Sequence, residues 1–121
     1  MHKKESTIKR EAFFVEFADR IRPSLKSAKL AVTGGFRSKA AMNQALADKS
    51  CDICGLGRPL TAEPYFGAAL IAAETERAKE NLVPEAIQTG SSIMQIKDIA
   101  TGTSIRDLSD KEVSDATLAL M

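Results

Sequence analysis

The chain has 121 residues, of which 44% are hydrophobic, 27% charged and 5% aromatic. That is the length and charge density of one globular domain, not of a disordered or fibrous protein. Seventeen Lys and Arg against sixteen Asp and Glu leave a net charge of +1, which speaks against nucleic acid or an anionic membrane as the main partner. The longest uninterrupted apolar run, Ala68–Ala73, is far short of the roughly 20 residues a membrane span requires. No apolar stretch follows the basic start Met1-His2-Lys3-Lys4, so no secretory signal is read and a soluble, cytoplasmic chain is expected.

Residues 6–22 carry a helical pattern, with Phe14, Phe17, Ala18 and Ile21 on one face, and Pro23 ends it. Leu30-Ala31-Val32-Thr33 is a compact apolar run closed by Gly34-Gly35. It reads as a strand over about 29–33, buried on both faces as in a parallel sheet. Ser38 is placed to cap a helix through Ala47, with Met42, Ala45 and Leu46 turned inward. A second strand, about 51–55, follows and runs into Gly55-Leu56-Gly57-Arg58-Pro59. The alanine-rich stretch from Pro64 to Lys79 predicts a further helix with Leu70 and Ile71 facing inward.

Cys51 and Cys54 spell C-x-x-C within the second strand. Residues three apart on a straight strand face opposite sides and lie roughly 10 Å apart, at about 3.3 Å per residue. A disulfide needs Cα atoms within about 7 Å, and a shared metal needs converging sulfurs. With no second C-x-x-C and a single histidine, His2, zinc is excluded and two buried thiols are expected, with no metal site.

Beyond Asn81, Ser92-Ile93-Met94-Gln95 and Ser109-Asp110-Lys111-Glu112 both match the capping-box pattern. Each opens a short apolar series: Ile93, Ile96 and Ile99 in one, Val113, Ala116 and Leu120 in the other, with Thr101-Gly102-Thr103 as the turn between them. The expected division is therefore 1–80 and a helical tail, 81–121, that docks on something. The alternation of strand, glycine loop and helix over the middle of the chain predicts an α/β fold with parallel strands. Two parallel strands leave both sheet edges unpaired, and a complete (β/α)8 barrel needs about 250 residues. The pattern is that of part of a fold.

Two loops share a design. Thr33-Gly34-Gly35-Phe36-Arg37 and Gly55-Leu56-Gly57-Arg58-Pro59 each follow a strand and precede a helix. Glycine lets the backbone approach a ligand closely, and phosphate is the natural ligand of such a pair. Arg58, and also Arg37, could add charge-assisted hydrogen bonds. Gly55-Leu56-Gly57 is not a dinucleotide fingerprint, because Leu60 stands where the third glycine of that motif belongs. Glycine after a strand is also common because turns use it. What raises the signal is two such loops on consecutive strands, Gly35 and Gly57 standing 22 positions apart.

The strings Leu30-Ala31-Val32-Thr33-Gly34-Gly35-Phe36-Arg37 and Cys51-Asp52-Ile53-Cys54-Gly55-Leu56-Gly57-Arg58-Pro59 resemble the last two strand–helix units of the old yellow enzyme family. These are the FMN-dependent NADH:flavin oxidoreductases, and the wording is closest to their fungal members. The similarity runs from the Arg10-Glu11-Ala12-Phe13-Phe14 helix into the tail and corresponds to the C-terminal part of a family member. It implies a TIM barrel with FMN at its C-terminal mouth, with NAD(P)H as reductant and an α,β-unsaturated carbonyl as hydride acceptor. It also implies that Gly34 and Gly35, after the seventh strand, and Gly57 and Arg58, after the eighth, grip the flavin phosphate.

The family's catalytic His/Asn or His/His pair and its proton-donating tyrosine have no counterpart here. His2 lies ahead of the matched region, and Tyr65 follows Gly57 by eight residues, where a packing role is expected. The resemblance thus implies a chain that keeps the phosphate grip, lacks catalytic residues and is inactive by itself. The alternative is a non-catalytic interaction module, whose apolar faces serve a homo-oligomer or a complementing barrel chain.

Overall fold

The computed structural model describes residues 16–121, so His2, Phe14 and the first part of the expected 6–22 helix lie outside the described residues. The chain divides into two compact units, Met1–Gly57 and Arg58–Met121. Among the described residues no helix is long and apolar enough to cross a membrane.

In the first unit, helix α1 (residues 16–21) gives way at Pro23 to a 3-10 turn, Arg22–Ser24, as proline's fixed backbone directs. Ala18 is buried on it, but Phe17 is half exposed. Strand β1 (Ala31–Thr33) pairs in parallel with β2 (Ile53–Gly55) in the register Ala31↔Ile53, Val32↔Cys54 and Thr33↔Gly55. Between them lies helix α2 (Lys39–Ala47), and Ser38 caps it: its hydroxyl accepts the Ala41 N–H at 3.2 Å. Lys49, at φ +58°, turns the chain out of α2, with the Ser50 N–H donating back to the Ala45 carbonyl at 3.0 Å.

Three expectations for this unit are corrected. The strands are three residues long each, not five. They are not buried on both faces either: Ala31, Thr33 and Ile53 are exposed, and among the described residues α2 is the helix that packs on β2. Leu46 is exposed on α2, leaving Met42 and Ala45 half-buried.

A further correction concerns the cysteines. Strand β2 begins at Ile53, so Cys51 precedes it. The Asp52 and Ile53 N–H groups both donate to the Leu30 carbonyl, at 2.8 and 3.2 Å. Two successive amides on one acceptor are a bulge-like kink, which shifts the alternation of faces by one residue. Cys51 and Cys54 therefore face the same way, and their sulfurs stand 3.7 Å apart.

In the second unit, the helix expected from Pro64 to Lys79 is two shorter ones, α3 (Arg58–Ala62) and α4 (Phe66–Ile71). The helix starts six residues early, directly after Gly57, and Ala73 at φ +57° ends the second piece. Phe66 and Leu70 are buried, whereas Ile71 is 90% exposed. Tyr65 is 84% exposed, so it does not pack.

The tail holds helices α5 (Gln88–Thr101) and α6 (Lys111–Ala119). Helix α5 starts four residues before the expected Ser92, and α6 is capped by Asp110 rather than Ser109, its carboxylate accepting the Val113 N–H at 3.1 Å. The faces are inverted. Ile93, Ile96 and Ile99 are exposed, while Ser91, Ser92, Gln95 and Asp98 are buried.

That inversion has a hydrogen-bonding cause. Gln95 accepts the Thr61 hydroxyl at 2.7 Å and donates to the Arg106 carbonyl at 3.1 Å. Asp98 takes Arg106 in a two-point grip at 2.7 and 2.8 Å, and Ser91 lies 3.4 Å from the Asn81 amide. Gln95, Asp98 and Ser91 thus bury with partners built into the fold, while the buried Ser92 hydroxyl has none among the described residues. In α6, likewise, Ser114 and Thr117 are buried while Ala116 and Leu120 are exposed.

Strand spacing in the first unit yields a direct prediction. A β-carbon at Gly55 would collide with the Thr33 side chain opposite it. Gly55→Ala should destabilise the first unit by about 1–3 kcal/mol through overpacking. Adding Thr33→Ala, which removes the closest atom, should recover part of the loss in a denaturant titration. Additive effects of the two substitutions would contradict the packing.

Candidate functional site

The two glycine loops leave neighbouring strands at the same end, because β1 and β2 are parallel and in register up to Thr33↔Gly55. After β1, Gly34 has φ +132° and Gly35 φ +77°. Both values lie where a side chain is strained, so glycine is required at each to turn the chain toward Ser38 and α2. After β2, Gly57 is different. A β-carbon there would meet nothing within 4 Å, so the chain's own packing does not demand glycine. An exposed, unencumbered backbone at the mouth of a parallel strand is open to close approach by a ligand.

What holds the strand pair together is Asp52. Its carboxylate accepts the Leu30 N–H at 2.8 Å and the Arg22 guanidinium at 3.2 Å. The Leu30 backbone is thereby bound on both sides, its N–H by the Asp52 side chain and its carbonyl by the Asp52 and Ile53 amides. The Leu30 N–H, and after it Arg22, hold the Asp52 carboxyl below its ordinary value of 3.8. Sequence reasoning did not single out Asp52. Its only signal is a carboxylate inside an otherwise apolar strand pattern.

Arg58 opens α3 in the second unit, half-buried. Its guanidinium donates to Gln88 Oε1 at 3.1 Å. Gln88 is oriented in turn by donating to the Val83 carbonyl at 2.8 Å and to the Asn81 carbonyl at 3.3 Å. Gln88 takes one of five N–H donors, so the guanidinium keeps capacity for an anion. Gln88 is a second residue the sequence did not point to. Arg37 is half-buried and already engaged with a neighbour. Among the described residues no three His, Cys, Asp or Glu side chains converge on a point that could hold a metal ion.

These loops lie in a chain with named relatives. It is 49% identical over 61 residues to the NADH-dependent flavin oxidoreductase iccE of Talaromyces variabilis, covering 50% of this chain and 15% of that protein. It is 41% identical over 56 residues to iliE of a Neonectria species, which carries the same description, covering 46% of this chain and 7% of that protein. Over 112 residues it is 30% identical to the NADH-dependent flavin oxidoreductase nadA of Aspergillus parasiticus, covering 90% of this chain and 25% of that protein. The chain is thus similar to part of several fungal NADH-dependent flavin oxidoreductases. It spans a quarter or less of the length of these relatives. No protein-family model matches it.

Acid should loosen the strand pair that carries both loops. The stability contributed by Asp52 is complete above its ordinary value of 3.8 and is lost as pH falls through the lower folded value. Asp98 and Asp107 are also depressed, by Arg106 and by Ser109 respectively, so all three contribute to an acid loss. Thermal unfolding of wild type and Asp52→Asn at neutral and strongly acid pH separates them. The variant should melt lower at neutral pH, and the two curves should converge in acid. A gap that stays constant with pH would contradict the role given to the carboxylate.

Proposed function

We propose that the chain supplies the phosphate grip of a flavin oxidoreductase built on a TIM barrel of the old yellow enzyme type. In this reading residues 1–80 are the C-terminal portion of the barrel and 81–121 a helical tail. The cofactor is FMN. The backbone at Gly34, Gly35 and Gly57 approaches its phosphate, and the Arg58 side chain adds a charge-assisted hydrogen bond. When bound, FMN supplies hydride transfer between NADH and an electron-poor acceptor.

The observation that carries this reading is the pair of loops at one end of two adjacent parallel strands. Gly34 and Gly35 have positive φ, and Gly57 has open space where a side chain would stand. The exposed strand residues Ala31, Thr33 and Ile53 are those the remaining strands of a barrel would cover. The names of the relatives support flavin and NADH as the chemistry. Arg58 is pre-oriented by Gln88, so less of its side-chain entropy is lost on meeting phosphate.

Among the described residues there is no histidine to polarise a carbonyl at the flavin, and the 121-residue chain by itself should not oxidise NADH. Its hold on FMN rests on the phosphate and is weak, because the isoalloxazine ring is not enclosed. Fluorescence titration with FMN and with riboflavin, which lacks the phosphate, tests this. FMN should bind at least about tenfold more tightly, and Arg58→Ala should abolish most of that difference, as loss of a hydrogen bond to a charged group does. Equal binding of the two flavins, or flavin-dependent NADH oxidation by the chain alone, would overturn the reading.

A further inference from the structure

Cys51 and Cys54 are not two separate buried thiols. The kink at Leu30 turns both sulfurs to one side and brings them to 3.7 Å, a van der Waals contact with no atom between them. Cys51 is 3% exposed and Cys54 is half-buried. The Cys54 thiol also lies 3.8 Å from the Met42 carbonyl on α2. No third ligand joins them among the described residues, so the pair lacks the donor set of a structural metal centre. The chemistry left to two adjacent thiols is exchange with a disulfide.

We propose that Cys51 and Cys54 form a reversible intrachain disulfide, a redox-modification site whose oxidant is a low-molecular-weight disulfide such as oxidised glutathione. Cys54, the more accessible of the two, attacks the oxidant first. Its S–H bond breaks, a mixed disulfide forms and one glutathione leaves as the thiol. Cys51 then loses its proton and attacks the Cys54 sulfur, forming the Cys51–Cys54 bond and releasing the second glutathione. Two S–H bonds are lost, one S–S bond is gained, and two electrons and two protons pass to the oxidant.

The kinetics and the equilibrium pull apart. Burial, and after it the neighbouring Cys51 thiol, push the Cys54 thiol up to about 11. At neutral pH little of it is thiolate, so the first step is slow. The same property means that little thiolate stabilises the reduced form at neutral pH, so the crosslink resists reduction once made. It would close across Asp52 and Ile53, locking the kink from which β2 runs into the Gly57 loop. The inference stands on the sulfur geometry and does not depend on flavin binding.

The test equilibrates the full chain with mixtures of reduced and oxidised glutathione, traps free thiols and reads the intact mass, folded and in denaturant. The folded chain should reach a product lighter by two hydrogens, with an exchange constant at least about tenfold larger than in denaturant, because the fold holds the sulfurs together. Cys51→Ser should instead accumulate a glutathione adduct on Cys54. An exchange constant equal or smaller in the folded chain would overturn the proposal, as would a persistent glutathione adduct or a chain-to-chain dimer in wild type. The folded-against-denatured comparison uses wild type alone, so it holds whether or not the variant folds.

Discussion

The first unit depends on the backbone of one residue. Leu30 offers its N–H to the Asp52 carboxylate and its carbonyl to the amides of Asp52 and Ile53. This fixes the parallel register of β1 and β2, so both glycine loops emerge at one end. It also introduces the kink that swings Cys51 to the side of Cys54. Arg22 completes the arrangement by neutralising Asp52 from the turn that follows α1. A loop geometry and a dithiol, unrelated in chemistry, thus share one cause.

The second unit is held on a different principle. Its central helix, α5, buries Ser91, Ser92, Gln95 and Asp98 and turns three isoleucines outward. Thr61, Arg106 and Asn81 supply partners for three of these buried groups, Gln95, Asp98 and Ser91. Helix α3 meets α5 through the Thr61–Gln95 hydrogen bond, and Arg58 is tied to Gln88 on the same helix. The residue expected to meet a phosphate is therefore anchored in the network that organises the tail.

Much of this was legible in the sequence, and the failures have physical reasons. The α/β character, the order of the two strands and the Ser38 cap follow from short-range rules that need only a few residues each. The glycine loops were legible for the same reason, since positive φ leaves a composition signature at Gly34 and Gly35. Periodicity misled where burial follows hydrogen bonds rather than apolarity. The isoleucine spacing of α5 is helical, but the face it marks is the outer one, and nothing local reveals that Arg106 will meet Asp98. The cysteine geometry was missed because face alternation assumes a straight strand, and the kink is made by Leu30, 22 positions from Asp52. Relatedness to flavin oxidoreductases was carried by two strings together, where either alone is only a turn.

The central claim is that the backbone of the two glycine loops is a phosphate site. The most direct measurement is to add FMN to the isotopically labelled chain and follow each backbone amide by NMR. The account predicts shifts concentrated at Gly34, Gly35, Gly57 and Arg58, reproduced at higher concentration by inorganic phosphate. Shifts that bypass these amides, or that inorganic phosphate does not reproduce, would contradict it.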